Sequence, residues 1–373
     1  MAGKLEDSFA PVFTITPAIA RALMRIEAAR QAVLTLPVTT RVLARLRETA
    51  RLFSTHYSTM IEGNRLTQEQ IARVIGADQH FPGRERDQNE VKGYYAALDE
   101  VERLAARGER VTETAVRRLH ALVMGSGRRR VKPTPYRDGQ NVIRDSSSNA
   151  IVYLPPEAKD VPRLMAQFIA WLNAEVSPGQ ELPVPVTAAV AHYQYARIHP
   201  YYDGNGRTAR LLTSLVLDLG GYDLKGLYAL EEYYARSLAE YYEALSMGSS
   251  HNYYPGRTEA DITRWIAYFT DGMADSFERV REQTSREVKT GAADQSALLR
   301  NLDARQRKVL ALFEDSRKLT AREIGGLFGY RPRTASELCR RWVNQSFLEV
   351  TDSAKKSRRY RLADPYEAMV AKR

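Results

Sequence analysis

A single cysteine, Cys339, serves the 373 residues of this chain, which excludes an internal disulfide and a cysteine-built metal cluster and argues against redox chemistry. No apolar run approaches the ~18 residues of a membrane span, and the opening MAGKLEDSFAPVF lacks the basic start and apolar stretch of a signal peptide, so the expectation is a soluble cytoplasmic protein with no membrane partner. The chain has no G-x-x-x-x-G-K-[ST], which sets aside an ordinary P-loop enzyme. It also shows no βαβ alternation and no internal repeat. Acidic residues are the minority charge, 45 against 55 basic, for a net +10. The imbalance is local: residues 301–373 hold 17 Lys/Arg and 9 Asp/Glu, or +8, leaving +2 for the first 300. Any nucleic-acid argument therefore belongs to the tail.

What is present is helical periodicity, and the fold class expected is mostly α with one small β-hairpin flap and a C-terminal winged-helix unit. Residues from about Pro17 to Ile75 read as an N-terminal helical region. In it, Thr39 to Met60 is a long amphipathic helix closed by Gly63-Asn64, and Thr67-Gln-Glu-Gln70 is a capping box that starts the next helix. A second helical body runs from about Asn89 to Phe277, interrupted by Gln140 to Leu154, where two β-branched runs flank a Ser/Asn turn and Pro155-Pro156 follows. Arg279 to Ser296 reads as a linker or exposed helix. In the tail, Asp303 to Phe313 forms one helix and Thr320-Ala-Arg-Glu323 caps a short second. Pro332 opens a third, with Ala335, Leu338, Cys339, Trp342 and Val343 on its inner face. Phe347 to Thr351 and Arg359 to Leu362 alternate as a hairpin. The domain division expected is 1–88 N-terminal region, 89–278 core, 279–300 linker and 301–373 winged helix-turn-helix.

The chemistry concentrates in His199-Pro-Tyr-Tyr-Asp-Gly-Asn-Gly-Arg-Thr-Ala-Arg210, between a buried helix ending near Ile198 and another running from Arg207 to Leu219. A helix start exposes unpaired N–H groups and a partial positive charge, so Arg207 and Arg210 add like charge to it and something negative must compensate. Gly204 and Gly206 let a backbone approach closely and Asn205 offers donors, which together describe an anion pocket suited to a polyphosphate. His199 is placed to take a proton from an attacking hydroxyl, and Asp203 to hold Mg²⁺ beside phosphates. Taken singly, Asp-Gly-Asn-Gly is an ordinary turn and His-Pro a helix end; twelve residues carrying all of it are far more specific. His192, seven residues earlier, lacks a third ligand and reads as a packed histidine.

These twelve residues resemble the Fic family signature H-P-F-x-D-G-N-G-R-x-x-R, with Tyr201 where phenylalanine is usual, and the likeness extends over roughly Pro17 to Phe277. The resemblance implies a protein adenylyltransferase, moving AMP from ATP to a Ser, Thr or Tyr hydroxyl with release of pyrophosphate. His199 is then the base, Asp203 holds Mg²⁺, Gly204, Asn205 and Gly206 cradle phosphates, and Arg207 and Arg210 bind the β and γ groups. The 140–154 flap is then the edge where a target segment docks as an added strand. Ser58-Thr-Met-Ile-Glu-Gly-Asn64 is similar to the family's inhibitory motif, which implies that Glu62, with Ser58 on the same helix face, pairs with Arg210 and fills the γ-phosphate position. The family's Asn-Arg pair before Tyr-Tyr is replaced by Ser237-Leu238. This leaves selectivity for adenine open, with Tyr241 a candidate to stack on a base. Rival readings are another nucleotide, removal of AMP with Glu62 placing a water, and a DNA-binding regulator. In the last, Arg331, Arg333, Arg340 and Arg341 meet DNA and Lys355 to Arg361 form a wing. The tail could instead make domain or homo-oligomer contacts.

Overall fold

The computed structural model describes residues 9–36, 38–144, 149–177, 179, 182–246, 251–254, 260–289, 302–352 and 358–370. In the body the helices are α1 (Pro17–Thr35), α2 (Thr40–Ile61), α3 (Gln68–Ala77), α4 (Glu85–Arg107), α5 (Glu113–Val123), α6 (Val161–Glu175), α7 (Val184–Ile198), α8 (Asn205–Leu219), α9 (Leu230–Arg236), α10 (Leu238–Leu245) and α11 (Thr263–Lys289). The mostly α expectation holds. Helix starts follow the local chemistry: Thr16, Thr39 and Thr112 each accept from a first-turn N–H, and Thr67 with Gln70 completes the expected capping box.

At the centre α7 and α8 pack on each other, with α4 and α5 against α8, α6 and α11 against α7, and α1 along α11. α7 is buried almost throughout because Ala188, Ala189 and Ala191 let neighbours close around it, as its small-residue spacing suggested. Trp265 of α11 is fully buried and donates from Nε1 to Ala189 O at 2.7 Å, tying α11 to α7. Between α5 and α6 lies the flap, strands β1 (Ile143–Arg144) and β2 (Ile151–Tyr153), antiparallel with an irregular register. It is shorter than the expected 140–154, and residues 145–148 lie outside the described residues.

Two expected boundaries fall inside continuous helices. The 88/89 division cuts α4, where Gln88, Glu90 and Val91 are all buried. The 278/279 division cuts α11, which runs to Lys289 because Val280 and Thr284 face the core rather than solvent. The rest of the expected linker, 290–301, lies outside the described residues.

The C-terminal unit has its own apolar core, including Val309, Ile324, Phe328, Leu338, Trp342, Phe347 and Leu362. Its helices are α12 (Ala304–Leu310), α13 (Leu312–Asp315), α14 (Ala321–Gly326), α15 (Pro332–Asn344) and α16 (Asp364–Val370). The single helix expected from Asp303 to Phe313 is interrupted at Ala311. On α15, Ala335, Leu338, Cys339 and Trp342 are buried as their spacing required. Strands β3 (Leu319–Thr320), β4 (Leu348–Asp352) and β5 (Arg359–Leu362) form one antiparallel sheet in the order β3-β5-β4. The third strand, β3, was not visible as a two-residue run.

Because Trp265 joins two helices and leaves no space around it, Trp265→Ala should destabilise the body by about 3–5 kcal/mol, read as a lower denaturant midpoint at unchanged m-value.

Candidate active site

The loop from α7 to α8 is held in an unusual path. His199 caps α7 with left-handed backbone angles, φ 51 and ψ 59, a strained choice for a non-glycine residue. Arg137 secures it: Nε donates to His199 O at 3.0 Å, one terminal nitrogen reaches Gly139 O at 2.9 Å and the other Pro156 O, and its backbone N–H meets Pro200 O at 3.0 Å. One buried guanidinium thus ties the loop to both ends of the flap. Asn205 braces the same loop from below, accepting from Tyr201 N–H at 3.0 Å and donating to Tyr201 O at 2.8 Å. The His120 ring stacks on Tyr201 with centroids 3.6 Å apart, and its Nε2–H donates to Asp203 O at 2.8 Å. Gly204 sits at φ 75 with His120 and Met124 pressed against it, so a side chain there meets both strain and contact.

His199 Nδ1 lies 3.1 Å from Ala196 O. A carbonyl only accepts, so Nδ1 carries the proton and the Nε2 lone pair is left open. Burial lowers this imidazole to about 4, with the Ala196 carbonyl and Glu62 opposing that shift. At neutral pH the ring is therefore an uncharged acceptor.

Helix α8 opens with no side-chain cap and no acidic residue in its first turn. Its compensating charge comes from elsewhere in the chain. Arg207, almost fully buried, meets Asp203 at 3.3 Å and Glu90 at 4.0 Å, and its Nε is buried without a partner. Arg210, 2% exposed, is gripped by the end of α2: Nε donates to Ser58 Oγ at 2.7 Å, and one terminal nitrogen donates to both Ser58 O at 2.9 Å and Glu62 Oε1 at 2.8 Å. Ser58 O is free to accept because the last turn of α2 tightens, with Glu62 N–H bonded to Thr59 O rather than to residue 58. Burial works against the charge on Arg210, and Glu62, helped by Tyr241 and Tyr94, more than offsets it. The Glu62 carboxylate also lies on the first turn of α8, where a methyl on Gly206 would overlap Oε1. A carboxylate thus occupies the cradle that two arginines and a helix N-terminus build for an anion.

Asp203 is the remaining charged group, half exposed, with Oδ1 accepting from Gly204 N–H at 2.6 Å. Among the described residues no cluster of three His, Cys, Asp or Glu side chains could form a cation cage. A single exposed carboxylate beside an anion cradle fits Mg²⁺ in its usual habit, carried largely by substrate phosphates and water.

The structure brings His199, Asp203, Gly204, Gly206, Arg207, Arg210, Ser58 and Glu62 together around one cradle. Two expected roles change. The Asn205 side chain is spent on Tyr201, so its amide braces the loop instead of donating to phosphate. Tyr241 is buried, stacked on Tyr234 at 4.8 Å and bonded to His192 Nε2 at 2.9 Å, so its ring is closed to a base; the neighbouring Tyr242 is 48% exposed. His192 is the packed histidine expected, bonded also to Thr213. Arg137, His120 and Glu90 escaped the sequence reading because nothing in their local pattern marks them; only the fold carries them to the loop.

Residues 110–217 match the Fic/DOC family. The Fic/DOC match covers α5 through most of α8, hence the whole His199–Arg210 loop, and excludes Ser58, Glu62 and the C-terminal unit. Among curated proteins the chain is 30% identical over 204 residues to the protein adenylyltransferase Fic of Drosophila willistoni, covering 54% of this chain and 39% of that one. It is 28% identical over 225 residues to that of Nematostella vectensis, covering 60% and 47%. The chain thus matches less than half the length of either relative. A crystal structure of a Fic family protein from Desulfovibrio desulfuricans superimposes with a TM-score of 0.61 at 25% identity over 95% of this chain and 99% of that one.

Three buried histidines set an acid limit on the fold. His120 and His199 are held near 4 and His192 near 3, in each case chiefly by burial, against 6.5 for an ordinary imidazole. The unfolded chain takes these protons from about pH 6.5 downward while the folded chain resists until about pH 4. Stability should therefore fall as pH drops through that window, checked by urea midpoints at pH 7, 5.5 and 4.5.

Proposed function

We propose that this protein is an adenylyltransferase acting in the cytoplasm, which moves AMP from ATP to a hydroxyl of a Ser, Thr or Tyr on a target protein and is autoinhibited by Glu62. The observation that carries this reading is the Glu62–Arg210 pair lying on the first turn of α8, 2.8 Å from carboxylate to guanidinium, with Glu62 close enough to His199 to act on it electrostatically. The names of the relatives support AMP as the group transferred.

In this reading the phosphates of ATP lie across Gly204 and Gly206 and the backbone N–H groups of the first turn of α8. Arg207 takes the β-phosphate, and Arg210 the γ-phosphate once Glu62 has left. Mg²⁺ bound to Asp203 and the phosphates would offset their charge. The target hydroxyl approaches with its proton aimed at His199 Nε2. As its oxygen bonds to the α-phosphorus, the proton passes to Nε2, the bond to the bridging oxygen breaks and pyrophosphate leaves. Nδ1–H on Ala196 O holds the ring in the one tautomer that allows this. The target segment adds as a strand beside the flap, where Ile151 and Val152 are exposed. With Glu62 in place, its carboxylate repels the γ-phosphate and occupies its partner, so ATP cannot settle productively.

Glu62→Gly should therefore raise AMP incorporation, His199→Ala should abolish it with nucleotide binding retained, and Glu62→Gly with Arg210→Ala should be inactive. ATP labelled at the α or the γ phosphate separates the chemistries, since retention of only the γ label means phosphorylation. An unchanged or lower rate in folded Glu62→Gly overturns autoinhibition, because loss of a merely solvated carboxylate costs at most ~1 kcal/mol of stability.

A second reading concerns the C-terminal unit, which we take as a winged helix-turn-helix that binds duplex DNA. Arg331, Arg333, Arg340 and Arg341 are all exposed on or beside α15, and among the described residues only Arg333 of these has a carboxylate partner, Glu337. Of the expected wing, 355–357 lie outside the described residues, while Arg358 and Arg359 are exposed. A helix of this width fits a major groove with arginines reaching phosphates or base edges. Arg340→Ala with Arg341→Ala should weaken binding to duplex DNA and lower the slope of log K against log salt by about 2. Undiminished binding would remove this surface.

A further inference from the structure

Polar contacts join the C-terminal unit to the body and lead to the inhibitory helix, which α16 also meets directly. Arg305 Nε donates to Ala106 O at 2.8 Å, and Arg107 of α4 donates to Phe328 O at 3.3 Å and Gly329 O at 2.8 Å. Lys308 donates to Glu102 O at 3.4 Å and lies 3.9 Å from Glu102 Oε2. The other carboxylate oxygen of Glu102 accepts from Arg51 of α2 at 2.5 Å. One carboxylate on α4 therefore faces the C-terminal unit with one oxygen and α2 with the other. Arg51 is fixed further by Asp99 at 2.5 Å and by the Tyr95 ring, 4.4 Å from its guanidinium carbon. The first half of α2 also lines a groove with Arg307, Leu310 and Ala311 of the C-terminal unit.

The join is built differently from a core. The body and the C-terminal unit have separate apolar clusters, with Ala106 the one body residue packed against the latter's among the described residues. Between them lies a cavity of about 450 Å³, bordered by Glu102, Arg103, Arg129, Lys308, Leu327 and Phe328. A polar, partly hollow contact separates at far lower cost than a packed one.

We propose that Glu102 is a positioning residue that couples the docked C-terminal unit to Glu62 through α2; this rests on the reading of Glu62 as inhibitory. A helix moves as a rod, and Arg51 lies eleven residues, or roughly 16 Å, from Glu62 along α2. Anchoring Arg51 from α4 and the C-terminal unit keeps the last turn of α2 seated on Gly206 and Arg210. Loosening that anchor lets the turn withdraw, and the phosphate site opens. Burial alone would raise the Glu102 carboxyl; Arg51 and Lys308 together hold it below its usual range, as a two-sided bridge requires.

The test uses the full-length chain. Lys308→Glu places a repelling charge opposite Glu102 while leaving every residue of α2 unchanged, and Arg107→Ala removes two bonds to the 328–329 loop. Each should raise AMP incorporation on the order of fivefold in the otherwise unchanged protein. Neither should change the rate of Glu62→Gly, in which nothing remains to be released. Amide exchange at residues 58–62 should accelerate in both variants, a readout independent of catalysis. If Glu62→Gly is activated while Lys308→Glu and Arg107→Ala leave both rate and exchange unaltered, the coupling is overturned and autoinhibition stands. If Glu62→Gly itself is not activated, autoinhibition falls and the coupling with it. An equal rise in the Glu62→Gly background would also overturn the coupling, since the effect would then bypass Glu62.

Discussion

Arg210 is the constraint on which the rest of the site depends. A guanidinium 2% exposed on a helix that already presents positive charge must find acceptors, and an unpaired one would cost several kcal/mol. Its partners, Ser58 Oγ, Ser58 O and Glu62 Oε1, all belong to the last turn of α2. The last turn of a 22-residue helix is thereby held against α8 by one buried cation. The tightened last turn is part of the arrangement, since a regular α-helical end would have engaged the Ser58 carbonyl internally.

The same interaction makes the resting site self-satisfied. Backbone N–H groups, Gly206 and two arginines form a cradle for an anion, and a carboxylate of the same chain lies in it. Two of the three bonds to Arg210 come from Ser58, so loss of the Glu62 carboxylate alone leaves the guanidinium oriented and newly able to accept an anion. The loop that carries His199 is independent of this exchange. Arg137, Asn205 and His120 hold it through backbone carbonyls and amides, so the left-handed turn and the imidazole tautomer persist whether or not Glu62 is present.

The C-terminal unit divides its basic residues between two faces. Arg305 and Lys308 meet body carbonyls and Glu102, whereas Arg331, Arg340 and Arg341 face solvent with no carboxylate partner among the described residues. A surplus of charge read from composition thus separates into cations that dock and cations that remain free, a distinction no count of residues contains.

From sequence alone most helices, many of their caps and the place of the His199–Arg210 loop between α7 and α8 were legible, because they depend on neighbours within a few residues: threonine caps, the small residues of α7, and glycines where backbone must approach closely. The inward face of α15 was legible for the same reason. The spacing of Ser58 and Glu62 placed them on one helix face, and family resemblance joined them to Arg210, but no local pattern could bring two segments 148 residues apart into contact. Packing decided that, and it decided what side chains at the site are free to do. Asn205 was spent bracing Tyr201, Tyr241 was enclosed by Tyr234 and His192, and Arg137, with no motif around it, became the brace of the loop. Local sequence sets conformation where interactions are short in range; burial and long-range pairing, which exist only in the folded chain, assign each polar group its partner.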